Sequence, residues 1–186
     1  MLEHAHVAAL VERASTESAV DATYRVVDSP VGSLLLAATE DGVLRVAFEI
    51  EDHDRVLDSL AAAVGSRILR GGQRLDPLAR ELDDYFAGRR HGFDVPLDLR
   101  LARGFRLAVL RHLSEIPYGS TESYADVAVA SGSPKAVRAV GSACATNPLP
   151  IVVPCHRVVR SDGSLGGYLG GLPTKERLLA LERAAA

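Results

Sequence analysis

The stretch Ile151-Val-Val-Pro-Cys-His-Arg-Val-Val159 places one cysteine between two runs of β-branched residues. The valines predict extended, buried chain on both sides of the cysteine. Pro154 cannot donate to a sheet ladder, so it turns the backbone at Cys155. A neighbouring histidine or arginine favours the thiolate, which is the nucleophilic form of cysteine. Both a reactive nucleophile and a buried structural cysteine fit these residues.

A longer pattern surrounds this stretch. Residues 138–152 read RAVGSACATNPLPIV, residues 154–159 read PCHRVV, and residues 167–182 read GYLGGLPTKERLLALE. From Phe105 to Glu182 the chain resembles the O6-alkylguanine-DNA alkyltransferases, also called methylated-DNA–protein-cysteine methyltransferases. The first half resembles the same family more loosely, through DSPVGSLLLAATEDGVLRVAF at 28–48 and DDYFAG at 83–88.

Composition narrows the class of protein. The chain has 186 residues, and its hydrophobic content of 47% argues against disorder and allows a buried core. No apolar run is long enough to span a bilayer, and the first residues lack a secretory signal pattern, so we expect a cytoplasmic protein. Two cysteines do not make a disulfide framework, and we expect no metal site and no cofactor.

Charge is divided unequally along the chain. Residues 1–100 contain 11 Arg, no Lys and 18 Asp+Glu, for a net charge of −7. Residues 101–186 contain 10 Lys+Arg and 6 Asp+Glu, for a net charge of +4. A basic half is typical of a module that binds a polyanion, although chance alone also gives a difference of this size.

Turn residues and hydrophobic periodicity predict an α+β fold. Asp41-Gly42 is a strong hairpin signal within a three-stranded antiparallel sheet. In the second half, helix, glycine-containing turn and helix form a helix-turn-helix pattern, followed by two strands that pair as a wing. The predicted strands are 24–28, 34–39, 43–48, 152–160 and 165–168, and the predicted helices are 55–64, 77–87, 105–113, 123–130, Ser133 to about Thr146, and 173–183.

The resemblance implies how these elements form domains. It implies a small antiparallel-sheet N-terminal domain of ribonuclease H-like fold and a C-terminal winged helix-turn-helix alkyltransferase domain. We therefore expect an N-terminal extension at 1–22, an N-terminal α/β domain at 23–98, and a DNA-binding and active-site domain at 99–186.

The predicted helix after Ser133 carries mostly small side chains, with Arg138 as its one long side chain. Gly141 destabilises a helix by about 1 kcal/mol relative to alanine, so a close approach by DNA or by another helix has to offset this cost. The resemblance implies DNA: the helix enters the minor groove, and Arg138 fills the space left by a flipped-out base. The implied partner is double-stranded DNA carrying O6-alkylguanine, bound by a monomer through Arg138, Lys135, Ala139, Gly141, Ser142 and Ser161.

The resemblance also implies the reaction. Cys155 takes the alkyl group from the flipped guanine in a single, irreversible turnover, and O4-alkylthymine is a further candidate substrate. His156 assists through a water molecule and is oriented by Glu182, while Arg157 forms an ion pair within the fold. Tyr124 donates a hydrogen bond to guanine N3, and Asn147 ties the helix end to the active-site turn. The implied substrate pocket is lined by Val158, Val159, Tyr168, Gly170 and Cys144.

Two other functions stay open. Alkyltransferase-like proteins recognise the lesion but carry another residue at the cysteine position, and Cys155 speaks against that interpretation. A Cys-His-Glu hydrolase of peptides or esters would turn over repeatedly through an acyl-enzyme.

Overall fold

A computed structural model describes residues 20–185 of the chain. Residues 1–19 of the predicted N-terminal extension lie outside the described part. The described residues divide into two compact units, one of 20–83 and 94–98 and one of 84–93 and 99–185. The predicted boundary at residue 98 assigns residues 84–93 to the first domain, whereas these residues belong to the second unit.

The first unit is built on a four-stranded sheet with the strand order β3-β2-β1-β4. The predicted antiparallel hairpin is confirmed, and Thr39 N donates to Gly42 O at 2.9 Å across its turn. The prediction of a sheet with three strands is wrong, because a fourth strand pairs parallel to the first. The strands are β1 (Ala22–Val27), β2 (Leu34–Ala38), β3 (Val43–Phe48) and β4 (Ile68–Arg70).

Two helices follow the hairpin. Helix α1 (His53–Val64) begins after Asp52, whose carboxylate accepts hydrogen bonds from two backbone N–H groups of the first turn, and ends before Gly65. Helix α2 (Asp76–Phe86) begins in the first unit, and its last three residues belong to the second. The end of α2 therefore carries side chains into the unit that contains Cys155.

The second unit is mainly helical. Ser123 and Asp126 form a capping box, in which each side chain accepts a hydrogen bond from the other residue's backbone, and this fixes the start of the second helix of the unit. The first three helices pack against one another. The elements are α3 (Gly104–Leu113), β5 (Glu122–Ser123), α4 (Tyr124–Ala130), α5 (Val137–Ala145), β6 (Val158–Val159) and α6 (Leu172–Ala185).

The α+β class is confirmed, but two local predictions in the second unit are wrong. Helix α5 begins at Val137 and not at Pro134 after a Ser133 cap, because Ala136 N donates to Ser133 O at 2.8 Å and closes a separate turn. The predicted wing strands 152–160 and 165–168 do not pair with each other. Only β6 is a strand there, and it pairs in parallel with β5.

The helices of residues 20–185 include none with both the length and the apolar character needed to cross a bilayer.

Candidate active site

Cys155 begins a single turn of 3-10 helix, Cys155–Arg157, and is 2% exposed. The predicted bend after Pro154 is present, because Arg157 N donates to Pro154 O at 2.9 Å and curls the chain, whereas the continuous strand predicted over 152–160 is wrong here. Buried Asn147 donates from Nδ2 to Cys155 Sγ at 3.1 Å and to Val153 O at 2.8 Å. A donor aimed at the sulfur favours the thiolate. Asn147 follows α5 in the chain, so its hydrogen bond links the end of this helix to the cysteine.

The turn between Asn147 and Cys155 is strained. Ile151 has φ of 75°, which is rare for a β-branched residue and costs about 1–2 kcal/mol. Further hydrogen bonds hold this turn, among them those from Leu149 N to Asn147 Oδ1 at 2.9 Å and from Val153 N to Leu149 O at 2.7 Å. Strained backbone of this kind persists only where its surroundings fix it, so the position of the sulfur is tightly determined.

His156 is buried beside the cysteine, and its Nε2 lies 2.7 Å from Glu182 Oε1. A carboxylate only accepts, so Nε2 carries the proton and Nδ1 carries the lone pair. Within the described residues, Nδ1 has no hydrogen-bond partner. Burial lowers the pKa of His156 although Glu182 acts to raise it, so the ring is a neutral base.

The carboxylate of Glu182 is the centre of a buried hydrogen-bond network. Oε1 accepts from His156 Nε2 at 2.7 Å, Tyr85 Oη at 2.7 Å and Arg157 Nη2 at 2.9 Å, and Oε2 accepts from Arg157 Nε at 2.9 Å and Gly119 N at 3.1 Å. Burial acts to raise the pKa of Glu182, but the hydrogen bonds from His156 and Arg157 outweigh it and lower this pKa to about 2. Glu182 is therefore a charged acceptor that orients the imidazole. The resemblance implied the Arg157 ion pair, but Tyr85 was not among the predicted site residues.

The network makes the stability of the fold sensitive to acid. His156 and Glu182 both have lowered pKa values when folded, so both bind fewer protons folded than unfolded. The stability from His156 is complete above pH 6.5, and that from Glu182 above pH 4.5, and each declines as the pH falls. Between pH 6 and pH 2 we expect Glu182 to account for a loss of about 3 kcal/mol in the free energy of unfolding, measured by urea titration.

The matched control for this prediction is Glu176→Gln, since Glu176 is exposed on the same helix. Glu182→Gln should flatten the pH dependence, whereas Glu176→Gln should keep it. Equal pH dependence in wild type and Glu182→Gln would contradict the role of this carboxylate in acid unfolding.

Lys175 is a buried residue of this site that the sequence reasoning missed. Its Nζ donates to Val158 O at 2.6 Å and contacts Gly166 O at 3.5 Å, and it lies 6.0 Å from the centroid of the Tyr124 ring. Burial lowers the pKa of Lys175, while Cys155 and Cys144 act to raise it. One signal could have found it, because Lys175 precedes Glu182 by two helical turns and so lies on the same face of α6.

Tyr124 is the first residue of α4, and burial raises its pKa to about 12, helped by Cys144 and Cys155. Its hydroxyl is therefore a donor at neutral pH. A Cβ placed on Gly166 would lie 2.3 Å from Tyr124 Oη, so this position has to be glycine for Tyr124 to keep its place. The predicted pocket includes Gly170 of the glycine-rich loop Gly166–Gly171, and the close approach in this loop is at Gly166.

The other predicted pocket residues differ in burial. The Tyr168 ring meets the His156 ring edge-on, with centroids 6.3 Å apart. Val158 and Cys144 are buried, and burial raises the pKa of the Cys144 thiol. Val159 and Gly170 are half-buried.

The outer face of α5 is open and lined by small side chains. Arg138, Ala139 and Ser142 are exposed on it, while Val140 and Cys144 face the interior. A Cβ on Gly141 would meet no atom within 4 Å, so packing against another described helix does not explain the glycine. Lys135 is exposed in the turn before α5, and Ser161 is exposed in a separate turn after β6.

Between residues 20 and 185, no group of three or more His, Cys, Asp and Glu side chains is arranged to hold a metal ion.

Comparisons with known proteins cover both halves of the chain. Residues 22–99 match the ribonuclease-like domain and residues 104–184 the DNA binding domain of 6-O-methylguanine DNA methyltransferase. A methylated-DNA–protein-cysteine methyltransferase from Mycolicibacterium paratuberculosis is 42% identical over 86% of this chain and 92% of its own length. One from Methanosarcina barkeri is 39% identical over 86% of this chain and 96% of its length. A Mycobacterium tuberculosis OGT, solved in complex with DNA, matches with a TM-score of 0.77 and 38% identity, over 88% of this chain and 94% of that one.

Proposed function

The chain belongs to the 6-O-methylguanine DNA methyltransferase family, and we propose that it repairs O6-alkylguanine in duplex DNA with Cys155 as the alkyl acceptor. It is a DNA repair protein that transfers the alkyl group to a cysteine of its own chain. The observation that carries the assignment to Cys155 is its setting: a buried thiol with Asn147 donating to the sulfur, followed in the chain by a histidine whose neutral imidazole is bound to Glu182.

The transfer needs a thiolate and a leaving group. The Cys155 proton passes to His156 Nδ1, directly or through one water molecule, and the sulfur attacks the alkyl carbon. The bond from that carbon to guanine O6 breaks, and its electron pair stays with the guanine. Glu182 holds the imidazole through Nε2 and stabilises the imidazolium that forms.

Negative charge develops on guanine as the bond breaks, so donors near the base lower the barrier. Tyr124 is a protonated donor whose pKa responds to the charge on Cys155, which supports its assignment to guanine N3. Lys175 acts as a positioning residue, because it binds the backbone of β6 and of the glycine-rich loop and lies close to the Tyr124 ring.

The outer face of α5 is the proposed DNA-binding surface. Small exposed side chains let the helix approach the minor groove closely, and Arg138 inserts where the damaged base leaves the stack. Lys135 and Ser161 contact phosphates, which position the protein without reading sequence. The relative solved with DNA supports a DNA partner.

The test is stoichiometry. Mixed with an excess of duplex carrying one O6-methylguanine, the protein should restore one equivalent of guanine and then stop, because water does not displace a thioether. A chromogenic ester should give no sustained hydrolysis, and an unmodified duplex serves as the control. Repair beyond one equivalent of protein would overturn the proposal, and continued ester turnover would favour a Cys-His-Glu hydrolase.

A further inference from the structure

Tyr85 is the donor to Glu182 that comes from farthest away in the sequence. It lies in the last turn of α2, is fully buried, and donates from Oη to Glu182 Oε1 at 2.7 Å across a sequence separation of 97 residues. The rings of Phe86 and Phe93 each lie 5.4 Å from its own ring, centroid to centroid. Burial and the nearby charge of Glu182 raise the pKa of Tyr85, so its hydroxyl keeps its proton and always donates.

Tyr85 shares its acceptor atom with the catalytic imidazole. His156 Nε2 and Tyr85 Oη each lie 2.7 Å from the same oxygen, Oε1 of Glu182. Together with Arg157 Nη2, which lies 2.9 Å away, they are three donors on one carboxylate oxygen, and each bond withdraws charge from the atom that the others use. The phenol therefore reduces how strongly Glu182 can stabilise an imidazolium at His156.

We propose that Tyr85 is a positioning residue for alkyl transfer, which fixes Glu182 Oε1 opposite His156 and limits the basicity of the imidazole. The inference rests on the proposed function, in which His156 accepts the Cys155 proton. A more basic His156 would already be protonated at mildly acidic pH and could not take that proton. Tyr85 thus extends the working range of the relay toward lower pH.

The other groups that face His156 all carry charge or can acquire it. They are Glu182 and Lys175 on α6, Arg157 and Cys155 beside it in the chain, and Tyr168 at the ring edge. Tyr85→Phe removes one hydroxyl and changes no charge. A change in the His156 titration can therefore be assigned to the hydrogen bond that was lost.

The experiment measures two quantities in Tyr85→Phe. The ¹⁵N chemical shifts of the His156 ring, assigned by comparison with His156→Gln, give its titration midpoint in the unalkylated protein. Rates of transfer from O6-methylguanine duplex between pH 5 and pH 9 give a second midpoint, that of the fall in rate on the acid side of the pH profile. We expect both midpoints to rise by about 0.5 pH unit, so that transfer below the midpoint falls about threefold while transfer at high pH is retained.

Tyr118→Phe is the matched control. The Tyr118 ring also packs edge-on against Tyr85, with centroids 6.0 Å apart, but its buried hydroxyl has no hydrogen-bond partner among residues 20–185. The Tyr118→Phe variant should leave both midpoints unchanged. A second variant, 2,3-difluorotyrosine at position 85, keeps the ring and strengthens the donor, so it should lower both midpoints.

Unmoved midpoints in Tyr85→Phe, or a loss of rate that is equal at every pH, would overturn the proposal and leave Tyr85 as a packing residue. Shifts of the same sign for phenylalanine and difluorotyrosine would also overturn it. Absence of transfer by the wild-type protein would instead contradict the proposed function. The NMR titration of His156 would still show whether Tyr85 changes the titration midpoint of the imidazole.

Discussion

Cys155→Ala should abolish alkyl transfer and still bind alkylated duplex DNA. The substitution removes the sulfur that forms the new bond, whereas the residues that we assign to DNA binding lie on the exposed face of α5. In the wild-type protein the transferred methyl group should appear as a gain of about 14 Da, one CH₂, on the peptide that contains Cys155. The measurements are peptide mass spectrometry after reaction and a gel-shift titration of each variant.

The second cysteine provides the control. Cys144 is buried in α5, and burial raises its pKa, which disfavours the nucleophilic thiolate. Cys144→Ala should still accept one equivalent of methyl groups on the Cys155 peptide. Methyl groups found on the Cys144 peptide of the wild-type protein, or transfer by Cys155→Ala, would contradict the assignment of Cys155 as the alkyl acceptor.

Arg138→Ala should reduce transfer from duplex DNA by about 100-fold, since extruding a base costs a few kcal/mol and each 1.36 kcal/mol is a factor of ten in rate. Arg138 is the long cationic side chain on the exposed, small-residue face of α5. Transfer from free O6-benzylguanine involves no extrusion and should be unchanged. Rates for the two substrates, measured side by side, separate the role in base flipping from any role in the fold.

Arg177→Ala is the control for charge, because Arg177 is exposed on α6 and carries the same charge as Arg138. It should leave the ratio of the two rates as in wild type. The salt dependence of duplex binding should also weaken in Arg138→Ala by the equivalent of about one phosphate contact. Equal losses on duplex and free base would show that Arg138 supports the fold.

Local patterns predicted most of the fold. The Asp41-Gly42 hairpin is correct because its turn chemistry is local, and the end of α1 is correct because Gly65 stops the helix. Strand β4 was missed because three residues between two helices are too few to show a period. The start of α5 was misplaced because a serine and a proline that suit a helix start instead form the turn before it.

The candidate site could be predicted only in part. The resemblance named Cys155, His156, Asn147 and Glu182, and in the structure Asn147 is hydrogen-bonded to Cys155 and His156 to Glu182. It did not indicate Tyr85, because no short-range pattern distinguishes a core tyrosine from one whose hydroxyl meets a carboxylate 97 residues away. Pro154 indicated a bend at Cys155, but the 3-10 form of that bend was not predicted, since valines on both sides favour extended chain.

The spacing of the donors around Glu182 has a consequence for how the protein is made. Chains are synthesised from the N-terminus, and Glu182 follows Tyr85 by 97 residues, Gly119 by 63 and His156 by 26. Until the ribosome has added Glu182, the imidazole next to Cys155 lacks the carboxylate that orients it. In a nascent chain, Cys155 is therefore followed by an imidazole that no carboxylate orients. The protein reaches full reactivity only after Glu182 has formed its hydrogen bonds with these distant segments.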